Sequence, residues 1–191
     1  VYANNTNDSK NSYERLVPGV SVELSSALER KSEFRGNAYT NTIEPMLFYA
    51  FTPYHNQDNF PVFDTSSVTS SLAQLLSETS FFGDDRVADK NFLTAALTTR
   101  FLDDEGFERI RASVAQRYYF DRQRVVLPGK PVREDDESDL FFETGIKASG
   151  DLSISALGQY TRKLGLWQNQ IISIRFSPRP GRALSFDYRF T

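Results

Sequence analysis

Apolar and polar residues alternate with a period of two along most of this chain, the spacing of strands that have one greasy and one wet face. The clearest stretch is Phe107–Asp121, FERIRASVAQRYYFD. One face carries Ile110, Ala112, Val114, Tyr118 and Phe120; the other carries Arg109, Arg111, Ser113, Arg117 and Tyr119. Leu140, Phe142, Thr144 and Ile146 oppose Phe141, Glu143, Gly145 and Lys147 in the same way. Leu184, Phe186, Tyr188 and Phe190 oppose Ser185, Asp187 and Arg189. The same reading predicts about eight strands. They run Tyr13–Ala27, Ala38–Thr52, Lys90–Leu102, Phe107–Asp121, Ser138–Ala148, Leu152–Arg162, Asn169–Ser177 and Ala183–Phe190. Most are near the ~9–11 residues that cross a bilayer when tilted.

The connections alternate in length. Asp103–Gly106, Ser149–Asp151 and Pro178–Arg182 are tight turns rich in Gly, Asp and Pro. Between them lie a long excursion, Pro53–Asp89, the charged loop Arg122–Glu137 and the shorter Lys163–Gln168. Short turns on one side and long loops on the other describe an antiparallel up-and-down barrel crossing a membrane. By parity, Leu28–Asn37 is a turn, and it is longer than this scheme prefers. Within the excursion, Ser66–Glu78 puts Val68, Leu72, Leu75 and Leu76 on one stripe behind capping Ser and Thr residues. That predicts one short helix, packed on the barrel mouth or a neighbouring loop. The expected fold is therefore an all-β transmembrane barrel segment with a short helix in a long extracellular loop.

The wet face is expected to line a lumen. Its candidates are Arg100, Arg109, Arg111, Arg117, Glu143, Lys147, Arg175, Asp187 and Arg189. A charge on the lipid face would cost ~2–4 kcal/mol near the midplane, so a barrel must turn these residues inward. Seven cations against two acids suit a pore passing phosphorylated sugars, although most cations in a wet lumen are simply paired across strands. Tyr49, Phe51, Tyr118, Phe120 and Tyr160 fall at strand ends toward the long loops, as an interfacial belt would. A soluble lipocalin-like barrel with an apolar interior, binding a small apolar ligand, remains an alternative from pattern alone. So does a complete eight-stranded outer-membrane barrel with a structural or adhesive role.

Composition narrows the choice. Apolar residues make up 39% of the 191, few for a packed α/β core, yet there are sixteen Phe and nine Tyr. The net charge of −3 is too small to point to nucleic acid as a partner. The longest purely apolar run, Met46–Phe51, is far shorter than a spanning helix. The chain begins at Val1 without a signal segment, the expectation for a processed product or an excerpt.

Catalytic chemistry has little to work with. Without cysteine, and with His55 as the one histidine, no thiol nucleophile, multi-histidine metal site or Ser-His-Asp relay can be assembled within these residues. The acidic runs Asp103–Glu105 and Glu134–Glu137 lack the spaced ligands and glycine of a calcium loop. No enzyme, metal or cofactor is expected.

Several segments in order carry a family resemblance. These are RLVPGVSVEL (Arg15–Leu24), EPMLFYAFTPYHNQDNFPVFDT (Glu44–Thr65), FFGDDRVADKN (Phe81–Asn91), TTRFLDD (Thr98–Asp104), QRYYF (Gln116–Phe120) and LSFDYRF (Leu184–Phe190). Together they resemble the LptD family of outer-membrane barrels that deliver lipopolysaccharide to the cell surface. His55 stands where the family usually has Arg after Pro-Tyr. The resemblance implies a bacterial outer-membrane location, lipopolysaccharide as cargo and a lumen plug of the LptE lipoprotein type. It also implies contact with outer-membrane lipid, and with a periplasmic Lpt bridge through an N-terminal jelly roll outside this chain. The gate-forming strands and the family's cysteines would lie outside it too. The implied share of this segment is barrel wall, lumen lining and extracellular loops, with Tyr54, His55, Asn56, Gln57, Asp64, Asp85 and Arg86 as the loop candidates.

Overall fold

A computed structural model of the chain describes residues 16–34, 36–57, 66–67, 71–77, 81–82, 86–127, 129, 132 and 134–190. It is an all-β antiparallel meander. The main sheet is built from β1 (Val20–Ser25), β2 (Leu28–Phe34), β3 (Asn37–Thr52), β6 (Lys90–Leu102), β7 (Glu108–Tyr119), β8 (Leu140–Lys147), β9 (Leu152–Thr161), β10 (Leu166–Arg179) and β11 (Arg182–Phe190). Within the long loop, β4 (Ser66–Ser67) pairs with β5 (Phe81–Phe82), and α1 (Leu72–Leu75) lies between them. The main sheet follows chain order from β3 to β11 and is not closed: β1 and β2 form one edge, β11 the other.

Nine segments amount to eight crossings. β1 pairs with β3 from Val20↔Phe51 to Ser25↔Met46, and β2 resumes at Leu28↔Ile43 without a change of register. The gap at Ser26–Ala27 lies opposite Pro45, which has no N–H to give to the ladder. What survives there is a bond from the Ser26 amide to the Pro45 carbonyl at 3.2 Å. The predicted first strand therefore ends too early, at Ala27: the crossing resumes at Leu28 and runs to Phe34. Pairing runs on to Phe34↔Asn37, so strand replaces most of the predicted ten-residue turn, and Gly36 takes a φ of 79° just before β3. Loop Lys163–Gln168 shrinks likewise. β10 starts at Leu166, and Gly165 at φ 65° closes a tight connection. With the first correction every connection on the turn side is short, while the second leaves one short connection on the loop side.

Register places the two faces as the alternation predicts. Arg100↔Arg111↔Gly145↔Ser155↔Ser173↔Asp187 crosses six strands in one row, and Lys147↔Ser153↔Arg175↔Ser185 lies beside it. The opposite face bears Leu47, Leu97, Ile110, Phe142, Ile174 and Phe186, each more than a third exposed. A contiguous apolar surface of this kind calls for a partner or a membrane. Near the loop end of that face, Tyr49 meets Phe120 at 6.4 Å, and Trp167 stands 5.4 Å from Tyr160 and 5.8 Å from Phe142.

The buried core sits on the polar face, at its loop end. Phe48, Ala50 and Phe92 form one cluster against Met46 and Tyr119; Leu75, Ala115 and Phe141 form another against Leu72 and Ala96. Leu75 comes from the long loop, so the loop folds down onto this face of β7 and β8. The helix is one turn rather than the predicted Ser66–Glu78, with Ser71 as its N-cap. The residues around 66–67 instead pair with β5, and Val68 lies outside the described residues. The helix packs against the sheet wall, which corrects its expected seat on the barrel mouth or a neighbouring loop.

Candidate functional site

The inner face of the sheet and the loop folded onto it form the candidate site. The loop begins where β3 ends, and its two stems are tied by Gln57. The side-chain amide of Gln57 donates to the Val87 carbonyl at 2.8 Å and accepts from the Val87 amide at 3.0 Å. It acts as one rung of a ladder between segments that are not strands. Arg86 reinforces the knot by donating to the Gln57 carbonyl at 2.5 Å. Gln57 and Arg86 are 2% and 8% exposed, so bonds made here are sheltered from water.

Arg117 holds the middle of the loop. It stands on β7 with its Nε donating to Thr94 Oγ1 at 3.0 Å and its guanidinium 3.6 Å over the Phe92 ring. One Nη reaches the carbonyls of Gln74, Leu75 and Ser77 at 3.2, 2.7 and 3.0 Å. These carbonyls lie at the end of a one-turn helix, where backbone dipoles favour a cation, and that of Gln74 also accepts from the Ser77 amide at 3.2 Å. At the other end Ser71 Oγ accepts from the Gln74 amide at 3.1 Å. A helix too short to persist in water is thus capped at both ends, and its Leu75 is 4% exposed against Ala115 and Phe141.

The second long loop is tied to the first. Asp89, 6% exposed, accepts from the amides of Arg124 at 2.8 Å and Val125 at 2.9 Å. The Arg124 guanidinium lies 5.2 Å from the Tyr54 ring. Asp135 pairs with Lys163, and Glu137 with Arg162 at 3.0 Å. Two acids of the run are therefore paired with cations. Its partner raises the Lys163 pKa, through the Asp135 hydrogen bond first and charge attraction second.

The remaining sequence candidates fall into groups. Arg100 pairs with Glu44 at 3.0 Å and approaches Glu108 at 3.6 Å, and Arg111 approaches Glu108 at 3.7 Å. Arg109 is the extra residue of a bulge between Phe101↔Ile110 and Leu102↔Glu108, and its Nε donates to Asp103 in the turn at 2.6 Å. Desolvation is the largest single influence and works against the Asp103 charge, but the Phe107 amide and Arg109 together outweigh it and hold that carboxyl below its ordinary range. Lys147, Arg175 and Arg189 share the inner face but make no ion pair among the described residues. Glu143 is in the same position. Asp187 accepts from Ser173 Oγ at 2.5 Å. His55 and Asn56 are exposed, with the His55 carbonyl 3.4 Å from Gln57 Nε2. Asp64 and Asp85 lie outside the described residues.

Pattern reading did not single out Thr94, Asp89 or Ser138, whose Oγ accepts from the Arg117 amide at 2.9 Å. Asp89 lies inside the segment FFGDDRVADKN that carried the resemblance, a signal available beforehand. Thr94 and Ser138 gave none, because their work is to serve Arg117.

The likeness to known proteins spans the whole of this arrangement. The family model described as LptD, LPS transport system D, matches residues 1–191. An LPS-assembly protein LptD of Aromatoleum aromaticum is 38% identical over 178 residues, which is 93% of this chain and 23% of that protein. One of Thiobacillus denitrificans is 37% identical over 177 residues, 92% of this chain and 24% of its own length. One of an Azoarcus species is 38% identical over 184 residues, 96% and 22%. The chain thus spans about a quarter of the length of the curated relatives it matches. An all-β meander with one apolar and one charged face, matched by the family model from end to end, belongs to the LptD family.

Proposed function

We propose that this segment is part of the barrel wall of a lipopolysaccharide translocon in the bacterial outer membrane. Its apolar face meets lipid, and its charged face lines the path of the sugars. One observation carries the reading: the helix of the long loop packs on the charged face, while the apolar face is left open along the sheet. A soluble apolar-ligand barrel needs the reverse, its greasy face inward. A self-contained eight-stranded barrel needs β1 to meet β11, and these are separate edges. In a bilayer such edges cost several kcal/mol for every unpaired group, so further strands of the same barrel must satisfy them.

In this reading the jelly roll, the gate strands and the contact with the periplasmic bridge belong to other parts of the protein. A lipoprotein plug of the LptE type would share the lumen with the Arg117-docked loop. The segment performs no covalent step. It supplies a shaped polar wall, an inward-folded loop, and the loop surface around Tyr54, His55 and Asn56.

The test is site-specific photo-crosslinking in cells with the full-length protein. A crosslinker at Ser113, on the inner face of β7, should capture lipopolysaccharide transiently and lose it once new synthesis stops. The same group at neighbouring Val114 should capture membrane lipid. A Ser113 position that never captures lipopolysaccharide would overturn the reading.

A further inference from the structure

The charged side chains of the inner face divide into those that are committed and those that are not. On β6 and β7, Arg100, Arg109, Arg111 and Arg117 each have carboxylate or carbonyl partners. On β8 and β10, Lys147 and Arg175 have none among the described residues. We propose that Lys147 and Arg175 form an anion subsite at the turn-side end of the inner face, which takes a phosphate group of a phosphorylated glycolipid. The proposal rests on the transport reading above and gives it a place of contact.

Geometry brings the two cations together. Lys147 pairs with Ser153, and Ser153 with Arg175, so the cations flank one small hydroxyl residue. Two strand spacings separate their backbones by about 10 Å, and two long flexible side chains can close that gap on one tetrahedral anion. The adjoining row is Gly145, Ser155 and Ser173, and a Cβ built on Gly145 would meet nothing within 4 Å. The floor beside the cations is therefore open. A cavity of about 480 Å³ lies over this end, lined by Lys147, Arg175, Arg109 and the hydroxyl residues Ser149, Ser153 and Ser177.

The acids near the site do not neutralise the pair. Asp103 is engaged by Arg109, and Asp187 by Ser173. Glu105 and Asp151 line the cavity from its turns, without an ion pair to either cation. Their presence limits how tightly an anion is held. A site on a transport path must release what it binds, so two cations with acids at the rim suit it better than a closed arginine clamp.

The experiment uses the full-length protein in cells, with the photo-crosslinker at Ser153 and the Ser113 position as reference. Ser153 should capture lipopolysaccharide. Lys147→Gln with Arg175→Gln should lower that capture about fivefold, the scale of two partly exposed charge contacts, and leave capture at Ser113 in place. Lys147→Arg with Arg175→Lys, which keeps both charges, should restore it. In cells that make dephosphorylated lipopolysaccharide, the neutral double variant should no longer differ from the parent. Capture at Ser113 but not at Ser153 would overturn the subsite, as would Ser153 capture that ignores the double variant. A difference that persists with dephosphorylated cargo would overturn phosphate as the ligand. Silence at both positions would remove the transport reading, and the subsite with it.

Discussion

Two halves of the same inner wall are built on different principles. At the loop ends of β3, β6 and β7, and onto the first residues of β8, the polar face is covered. Phe92 and Thr94 are fully buried, Arg117 is 4% exposed, and its guanidinium is spent on loop carbonyls. Across β9, β10 and β11 the same face is bare, and every residue of β11 is exposed. Both halves have the same alternation and the same tight turns, so alternation does not decide which is covered. The difference lies in one side chain type at one height. An arginine near the loop end of a strand can reach a folded loop, whereas Lys147 and Arg175 at the turn end have no loop above them.

The largest test of this contrast is Arg117→Ala. Hydrogen bonds from a charged group contribute about 1.5–3 kcal/mol each, and those of Arg117 act together, so removing them should cost about 4 kcal/mol of loop docking. That is about a thousandfold in the docked-to-undocked ratio. Protease added outside intact cells should then cut between residues 53 and 89 far faster, while Arg175→Ala should leave the cutting rate unchanged. Arg117→Lys should fall between them, because a single ammonium cannot serve three carbonyls and Thr94 together. Equal protection in Arg117→Ala and the parent would mean that the packing of Leu75 alone holds the loop.

Much of the wall was legible from the chain, and the reason is physical. Period-two alternation is imposed by the pleat, so the sequence alone assigns Arg111, Glu143, Lys147 and Arg175 to one face. The exception was Leu28–Phe34: Glu29, Arg30, Lys31 and Glu33 interrupt the alternation there, yet the segment pairs with β3 along its length. The loop was less legible, because its order comes from contacts distant in sequence. Leu72–Leu75 holds as a helix through Arg117, forty residues on, and nothing in the run Ser66–Glu78 announces that partner.

Gln57→Leu is the next sharpest probe of the covered half. It keeps the volume but leaves the Val87 amide and carbonyl without their partners, at about 2 kcal/mol. Hydrogen exchange at the Val87 amide should quicken about thirtyfold. Exchange at the parent rate would mean that Arg86 and the Asp89–Arg124 contact close the stems unaided.

The bare half is braced from outside. Gly158 lies under the Trp167 indole, and a Cβ there would come within 2.6 Å of Cζ3. Gly158→Ala must therefore push Trp167 off its contacts with Tyr160 and Phe142, at about 1–3 kcal/mol. The temperature at which the full-length barrel loses its compact electrophoretic mobility should fall by a few degrees, while loop protection should be unchanged. A variant as heat-resistant as the parent would mean that the aromatic cluster is decoration on the bare wall.

The smallest effect belongs to the β6–β7 turn, at the far end of the strands that carry the docked loop. Asp103 accepts from the Phe107 amide at 2.8 Å and from Arg109, and its carboxyl titrates below its ordinary value of 3.8. A lowered folded value means that its stabilising contribution is complete above the ordinary value and is lost as pH falls through the folded one. Acidification below about pH 4 should therefore loosen this turn in the parent, read as faster exchange of the Phe107 amide after correction for the intrinsic rate. Asp103→Asn keeps an acceptor for that amide but gives up the charge, so its exchange should already be slightly faster at neutral pH and should not change on acidification. A parent that is equally flat would show that Arg109 is held by the bulge itself, and that the ion pair follows from the fold rather than supporting it.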